Sequence, residues 1–498
     1  FRNSTGTFDG ESYDNDTGDP GSVRWDDSSL TITVSGTVYD ADGSTPLGLP
    51  TCGVGGTPVR VVVENGGIFD GACDGSGNFS IPGVTIVGDP TLTIFLNGAP
   101  GGERGTIVTK TPTTDISGLR LIVNRTLLRH EDTSAMSIDD MLAYDSTDDS
   151  DVLFTAATGT LTTYPNTGLV VSQGKTFTPD GSVTLMSAGS GTQYDGSLYL
   201  EASSTFTGSA TTTYSLGGSF FQYASSTFVP ASSTVIMTAT TTGKTFVSSS
   251  SESIALNNLT FTGVGGGWNV NGNIRATGDI LVSTGTVSGT GNITLTHGSF
   301  YGNGLVSLGG GTTTLSVSNT LGGTTAWTCY DLTLGTGSTT GTTSKASVAT
   351  TTVGGRLTIG TGHFFNAFGS TLHLTGGSTV FVENGTFVES TSTVRYGGTS
   401  GSNVLSTTYY NLEVNGSGGT PTFTGTGLGI VVSNNLTVGG TGMSTFTLDT
   451  NDPALDVNGT VRIESSGTFV ASNSAVCTFG GNYDNDGTFT SSGGTVTF

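Results

Sequence analysis

Charge is scarce in this sequence: 11% of its 498 residues are Asp, Glu, Lys or Arg. The little it has leans one way, with 38 acidic against 15 basic side chains and a formal net charge of −23. A nucleic-acid binder needs a basic face to displace counterions, so that partner class is disfavoured. Long hydrophobic runs are also missing. None approaches the roughly 18 apolar residues of a membrane-spanning helix, so no helical membrane span is expected. The four cysteines (52, 73, 329 and 477) form no C-x-x-C pair, and zinc is not indicated. Helical periodicity is nearly absent, which excludes a mainly helical fold.

What is present is glycine, 80 residues of it, in a chain dense with Ser and Thr. Such low complexity would suit a disordered chain. Against that, Val, Ile, Leu and Phe recur at alternating positions throughout, and short alternating runs divided by Gly, Asn and Ser read as strands and turns. The fold class expected is all-β: an N-terminal Ig-like β-sandwich followed by a long parallel β-helix, or β-solenoid.

The charge is uneven. Residues 1–151 carry 23 of the acidic side chains and the following 347 residues carry 15. The first residue is Phe1, followed by "RNSTGTFDG", which cannot form the apolar helix of a pilin. That start is read as lying after a processing site or inside a longer precursor, with a secretory signal removed upstream as the favoured history, and the localisation expected is extracellular or cell-surface. Cys52 and Cys73 lie close together in this acidic, extracellular-looking part and are expected to form a disulfide, with two buried free thiols as the alternative. Cys329 and Cys477 stand at non-equivalent points of a repeat, which argues against a bridge between them.

Four regions follow. Residues 1–29 are polar, acidic and glycine-rich. Their "STGTFDGESYDND" shares its vocabulary with "YDNDGTFTSSGG" near residue 490, so they read either as an arm that pairs with a stack of coils or as a solvated leader. Residues 30–128 read as the β-sandwich, from "LTITVSGTVYDADG" through "TPVRVVVENG" and "PTLTIFLNG" to "LRLIVNRTLL". Residues 129–151 form an acidic connector in which "MSIDDMLAYD" is the best helix candidate, with Ser137 as its cap and Asp139 and Asp140 in its first turn.

From residue 152 to 498 the same phrases return. "NNLTFTG", "YDLTLGTG" and "YNLEVNG" place Leu at 259, 332 and 412, at intervals of 73 and 80. A second marker places an apolar residue at 274, 357 and 436, at intervals of 83 and 79. The two agree on a super-repeat near 80 residues, and within it "GTV", "STL" and "GTF" recur every twenty or so. That is the rhythm of a solenoid of short strands, with apolar side chains inward and Thr outward. Roughly sixteen coils rising about 4.8 Å each would stack to about 75 Å. The last copy breaks off in mid-phrase at "GGTVTF", without a capping element, so either further coils or a docked subunit is expected to complete it.

Candidate sites are few. The densest carboxylate patch is Asp449, Asp452 and Asp456 in "LDTNDPALD", with Asp484 and Asp486 further on. Asp14, Asp16 and Asp19 in "YDNDTGD", and Asp40 with Asp42 in "YDADG", have an Asp-x-Asp spacing but no complete calcium loop. These are the calcium candidates; solvated turns are the plainer reading, and no other cofactor is indicated. His363 and His373 lack a third ligand. No G-x-S-x-G sits on a strand-to-helix turn, so no nucleophile is indicated and the chain reads as a non-enzyme. Trp268, Trp327, Tyr409 and Tyr410 either line a sugar-binding face or pack the coils.

Two resemblances add to this. The order "SGTVYDADGSTPL … VRVVVENG … DGSGNFSIPGV" resembles the carboxypeptidase-regulatory-like and SpaA-like surface modules of bacteria, over about 95 residues. It implies a spacer or docking unit. Some relatives carry a Lys–Asn isopeptide bond, for which Lys110 and Asn124 would be the pair here. With "IDDMLAYDSTDDSDVLFTA", "GLVVSQGKTFTPDGSVTL" and the Thr-rich coils, the whole resembles the repetitive β-helical surface proteins of candidate-phyla-type bacteria. That resemblance implies an exported surface protein. The function expected is a structural subunit of an extracellular filament or surface layer whose partner is itself, added head to tail by strand addition at β-helix ends. A monomeric adhesin or stalk binding a glycan, a host protein or the cell envelope is the alternative, and a polysaccharide-active β-helix enzyme comes third.

Overall fold

The computed structural model describes residues 29–498, except 54, 57, 249–252 and 338–339. The chain is all-β with a long parallel β-solenoid, and it divides into two compact units, residues 1–229 and 230–498.

Twelve strands and one helix lead through the first coil of the first unit. They are β1 (Leu30–Tyr39), β2 (Val59–Val63), β3 (Ile68–Gly71), β4 (Asn78–Ile86), β5 (Thr91–Leu96), β6 (Thr106–Lys110), β7 (Ile116–Ile122), β8 (Arg125–Leu128), α1 (Ile138–Met141), β9 (Phe154–Ala157), β10 (Thr160–Thr163), β11 (Gly168–Val171) and β12 (Thr176–Phe177). β1 lies between β4, antiparallel, and β7, parallel. A second sheet runs β3-β2-β5-β6-β8, and its last strand does more than finish it. β8 pairs in parallel with β11, so Arg125–Leu128 stack on Gly168–Val171 and the sheet runs on into the coils.

Coils here have three strands, each paired in parallel with the strand one coil on. β10, β11 and β12 make the first, and all three of its free edges are covered within the unit. β8 takes β11, β9 takes β10 antiparallel, and Met136 bridges to Phe177. The connector is thus a packed layer. Met136, Ile138, Met141, Val152 and Leu153 are buried, and Ser137 and Asp140 form a reciprocal capping box at the start of α1. The Thr93 hydroxyl donates to the Tyr144 carbonyl (3.4 Å), and the Leu153 N–H donates to the Thr106 hydroxyl (3.1 Å).

In the second unit, Thr234–Met237, Lys244–Ser248 and Ser253–Leu256 open three faces, which we number one to three. Leu259, Ile280, Phe300 and Leu321 stack in register on face one, so a coil takes 20 or 21 residues there. Alternation does what the pleat requires: inward Val, Leu, Ile and Phe are buried, and outward Thr and Ser are half-buried. Near residue 400 faces one and three are interrupted and restart at Thr408–Tyr409 and Asn403–Val404, while face two runs through Thr393–Tyr396 unbroken. Two buried phenols serve this irregular backbone. The Tyr396 and Tyr409 hydroxyls lie 2.9 Å apart, Tyr409 donates to the Leu405 carbonyl (2.8 Å), and the Leu405 N–H donates to Tyr396 (3.2 Å).

The super-repeat is out of step with the coil. Leu259, Leu332 and Leu412 sit on faces one, three and two, and each lies eleven strands after the last, one fewer than four coils of three. Every copy therefore appears one face back from its predecessor. The second marker keeps this step between Leu357 and Leu436, but Ile274 stands one strand early, and Ile280 is the position that keeps phase with Leu357.

Candidate functional site

The residue before each marker Leu explains why the phrase recurs. Asn258, Asp331 and Asn411 stand at coil corners, and each side-chain oxygen accepts a backbone N–H from the next coil: Asp279 (2.9 Å), Arg356 (2.7 Å) and Asn435 (3.3 Å). In two of the three copies the ladder goes on, because Asp279 accepts from Ser299 (2.7 Å) and Asn435 from Thr460 (3.0 Å). In the third, the residue in that slot is Arg356, and a guanidinium has no acceptor. Its Nε donates instead to the Thr379 carbonyl (3.2 Å).

At this interruption the surface opens into a groove of about 490 Å³. Tyr330 is 44% exposed on one side. Its ring lies over the Gly354–Gly355 backbone: a Cβ on Gly355 would come within 3.1 Å of the Tyr330 ring and 2.3 Å of the Asp331 carboxylate, and one on Gly354 would touch the ring at 3.5 Å. Neither glycine has a positive φ, so these glycines are there for space and not for conformation. Thr333 and Thr358 pair in register, as do Thr312 and Asp331, and all four line the groove. Among the described residues Arg356 has no carboxylate within salt-bridge distance, whereas the neighbouring face carries paired arginines, Arg395 with Glu413 (2.5 Å) and Arg462 with Asp484 (3.1 Å).

The residues singled out from the sequence lie elsewhere. Trp268, Trp327 and Tyr409 are buried in the coils, where they pack rather than face a ligand, and the Trp327 indole donates to the Gly304 carbonyl (3.0 Å). Tyr410 is half-buried. Asp452 works as a staple between coils, accepting from the Ser472 hydroxyl and the Asn473 N–H, both at 2.9 Å, and these bonds hold its carboxyl below the usual range. Asp456 stands in an outward register position between Val431 and Thr478, and Asp449 sits in the preceding turn. Asp484 and Asp486 gather round Arg462, at 3.1 and 3.7 Å. Asp42 closes its own turn by accepting from Ser44 and Thr45, which brings its carboxyl down to about 2, and Asp40 accepts from the Ala41 N–H at 2.6 Å. Asp14, Asp16 and Asp19 lie outside the described residues, as does nearly all of the arm 1–29. Among the described residues no three His, Cys, Asp or Glu side chains are grouped as metal ligands.

His363 is buried, with Nε2 2.8 Å from the Thr343 hydroxyl, while His373 is half-buried and outward on another face; burial lowers both pKa values. Lys110 pairs with Asp140 (2.8 Å), and the Asn124 amide donates to the Tyr194 hydroxyl (3.1 Å), so the two are engaged apart from each other. Cys52 and Cys73 are joined in a disulfide, and Cys329 and Cys477 are free and buried.

The groove was missed because its signal is a contrast between copies: "GGRL" holds Arg where "NNL" holds Asn435, and that contrast shows only when the copies are aligned strand by strand. No family model matches the chain, and neither a curated protein nor a solved structure matches it.

Proposed function

We propose that this chain is a non-catalytic structural subunit of an extracellular filament or surface layer, joined to its neighbours by strand addition at a coil edge. The observation that carries the reading is the pairing of β8 with β11. A strand from outside the coils adds to a coil edge through main-chain bonds, which need no side-chain code. The same act between two subunits would make a polymer. The arm 1–29, with its stack-like vocabulary, is the proposed donor. Because the first coil's three edges are occupied in cis, the donor must find its edge elsewhere in the partner. In this reading the 30–128 region is an Ig-like spacer of the bacterial surface-module kind.

Electron microscopy of the native material, with its intact mass, tests this. Filaments or sheets built from copies of this chain are expected. Deleting residues 1–29 should abolish them and leave the β circular-dichroism spectrum unchanged. Dispersed particles at every concentration would overturn the reading. The alternative, a monomeric stalk that binds a glycan, is favoured by one observation, the Tyr330 groove.

A further inference from the structure

Three features of the second unit compete for a role beyond assembly: the buried Lys345, the interruption of two faces near Tyr396 and Tyr409, and the Tyr330 groove. The Lys345 side chain and the two phenols point into the coils, where they are buried. The groove is open, polar and built at a cost to the coil ladder. The other corners, at Asn258, Asp279, Asp331, Asn411 and Asn435, spend an Asx oxygen on the next coil; here Arg356 gives that acceptor up and keeps a cation with no carboxylate partner among the described residues. Departures from a local rule of this kind mark functional positions.

From this we infer that the groove around Tyr330, Asp331 and Arg356 binds a linear polysaccharide. The chemistry of its lining selects that class. Tyr330 offers a partly exposed ring beside glycine backbone, on which the C–H face of a sugar can stack. Asp331 has one oxygen committed to the Arg356 N–H, and its second oxygen is placed to accept from a sugar hydroxyl. The terminal nitrogens of Arg356 supply a donor fork for vicinal hydroxyls or for the carboxylate of a uronate. Thr333 and Thr358 present hydroxyls one coil apart, about 4.8 Å, a row along which an extended sugar chain can lie. The lining has no apolar pocket for an acyl chain or a peptide anchor, and a protein of net charge −23 repels a nucleic-acid backbone.

The inference is independent of polymerisation: a filament subunit and a stalk can both carry the groove. The test uses the full chain on a glycan array, followed by calorimetry with cellohexaose and hexagalacturonate as the neutral and acidic probes. Saturable binding at one site is expected, weakened about tenfold by Tyr330→Ala. Arg356→Asn installs the residue that Asn435 contributes at the equivalent corner, so the coils keep their fold while the guanidinium goes. A loss confined to hexagalacturonate in that variant would identify the uronate carboxylate as the group Arg356 holds; an equal loss for both probes would identify the hydroxyls. Absence of any retained saccharide on the array, or binding unmoved by both substitutions, would overturn the inference without touching the filament reading.

Discussion

Lys345 is a cation inside a coil, and it should make the stability of this protein rise with pH through the mildly alkaline range. Its side chain, at the end of the strand Gly341–Lys345, is 5% exposed, with Nζ bonded to the Thr351 hydroxyl and, among the described residues, no carboxylate within salt-bridge distance. Room for the ammonium comes from Gly322, where a Cβ would stand 2.7 Å from Nζ. Burial is the main cause that lowers the lysine from 10.5 to about 8. That difference corresponds to about 3 kcal/mol against the charged form. The sign follows from proton counts. Below about pH 8 both folded and unfolded lysine are protonated, and folding bears the whole cost. Between about 8 and 10.5 the unfolded chain holds a proton that the folded chain has shed, so stability rises with pH. Cys329, also interior, interacts with this lysine; burial pushes its thiol up to about 11, so it is mostly protonated through the window. Lys345→Met should therefore stabilise the protein by about 3 kcal/mol at neutral pH, and the gain should shrink toward zero near pH 10.5. Urea unfolding of both proteins across that range measures it; taking the difference cancels every tyrosine and lysine they share. A gain that stays constant with pH, or no gain at pH 7, would refute the reasoning.

Phe469 packs against Phe446 at 5.6 Å and Phe489 at 5.8 Å, so Phe469→Ala should cost about 3–5 kcal/mol in chemical unfolding. Reducing Cys52–Cys73 releases a constraint between residues 21 apart, which should lower the stability of the first unit by about 3 kcal/mol, read as the unfolding midpoint with and without reductant. Asp452→Asn should destabilise at neutral pH and converge with the parent under acid. The carboxylate's depressed pKa contributes stability only above its unfolded value and loses it as pH falls through the folded one, which thermal melts on both sides of pH 4 would register.

Much of this fold is legible in the residues alone. Period-two alternation forces strands, Gly and Asn punctuate them, and the recurring Asx-Leu phrase returns because a corner oxygen must accept the next coil's N–H. Ser137 followed by Asp139 and Asp140 is enough to place the start of α1, since those side chains satisfy amides that a helix leaves bare. The aromatics were harder to place. Inward and outward differ by one residue in a strand, so nothing in "AWTCYDL" says that Trp327 fills the core while Tyr330 turns out at the corner.

The sequence by itself determined the class of fold, the direction of each strand's apolar face and the existence of a repeat, because these follow from local periodicity. Only the tertiary structure decided where the repeat points. Eleven strands per copy against three per coil turns each copy onto a new face, and that phase depends on how many residues every corner consumes. It also decided that β8 closes the first coil and that Arg356, Tyr330 and two glycines share one groove, because these residues meet through stacking between coils, at separations of 20 residues or more that local pattern does not encode.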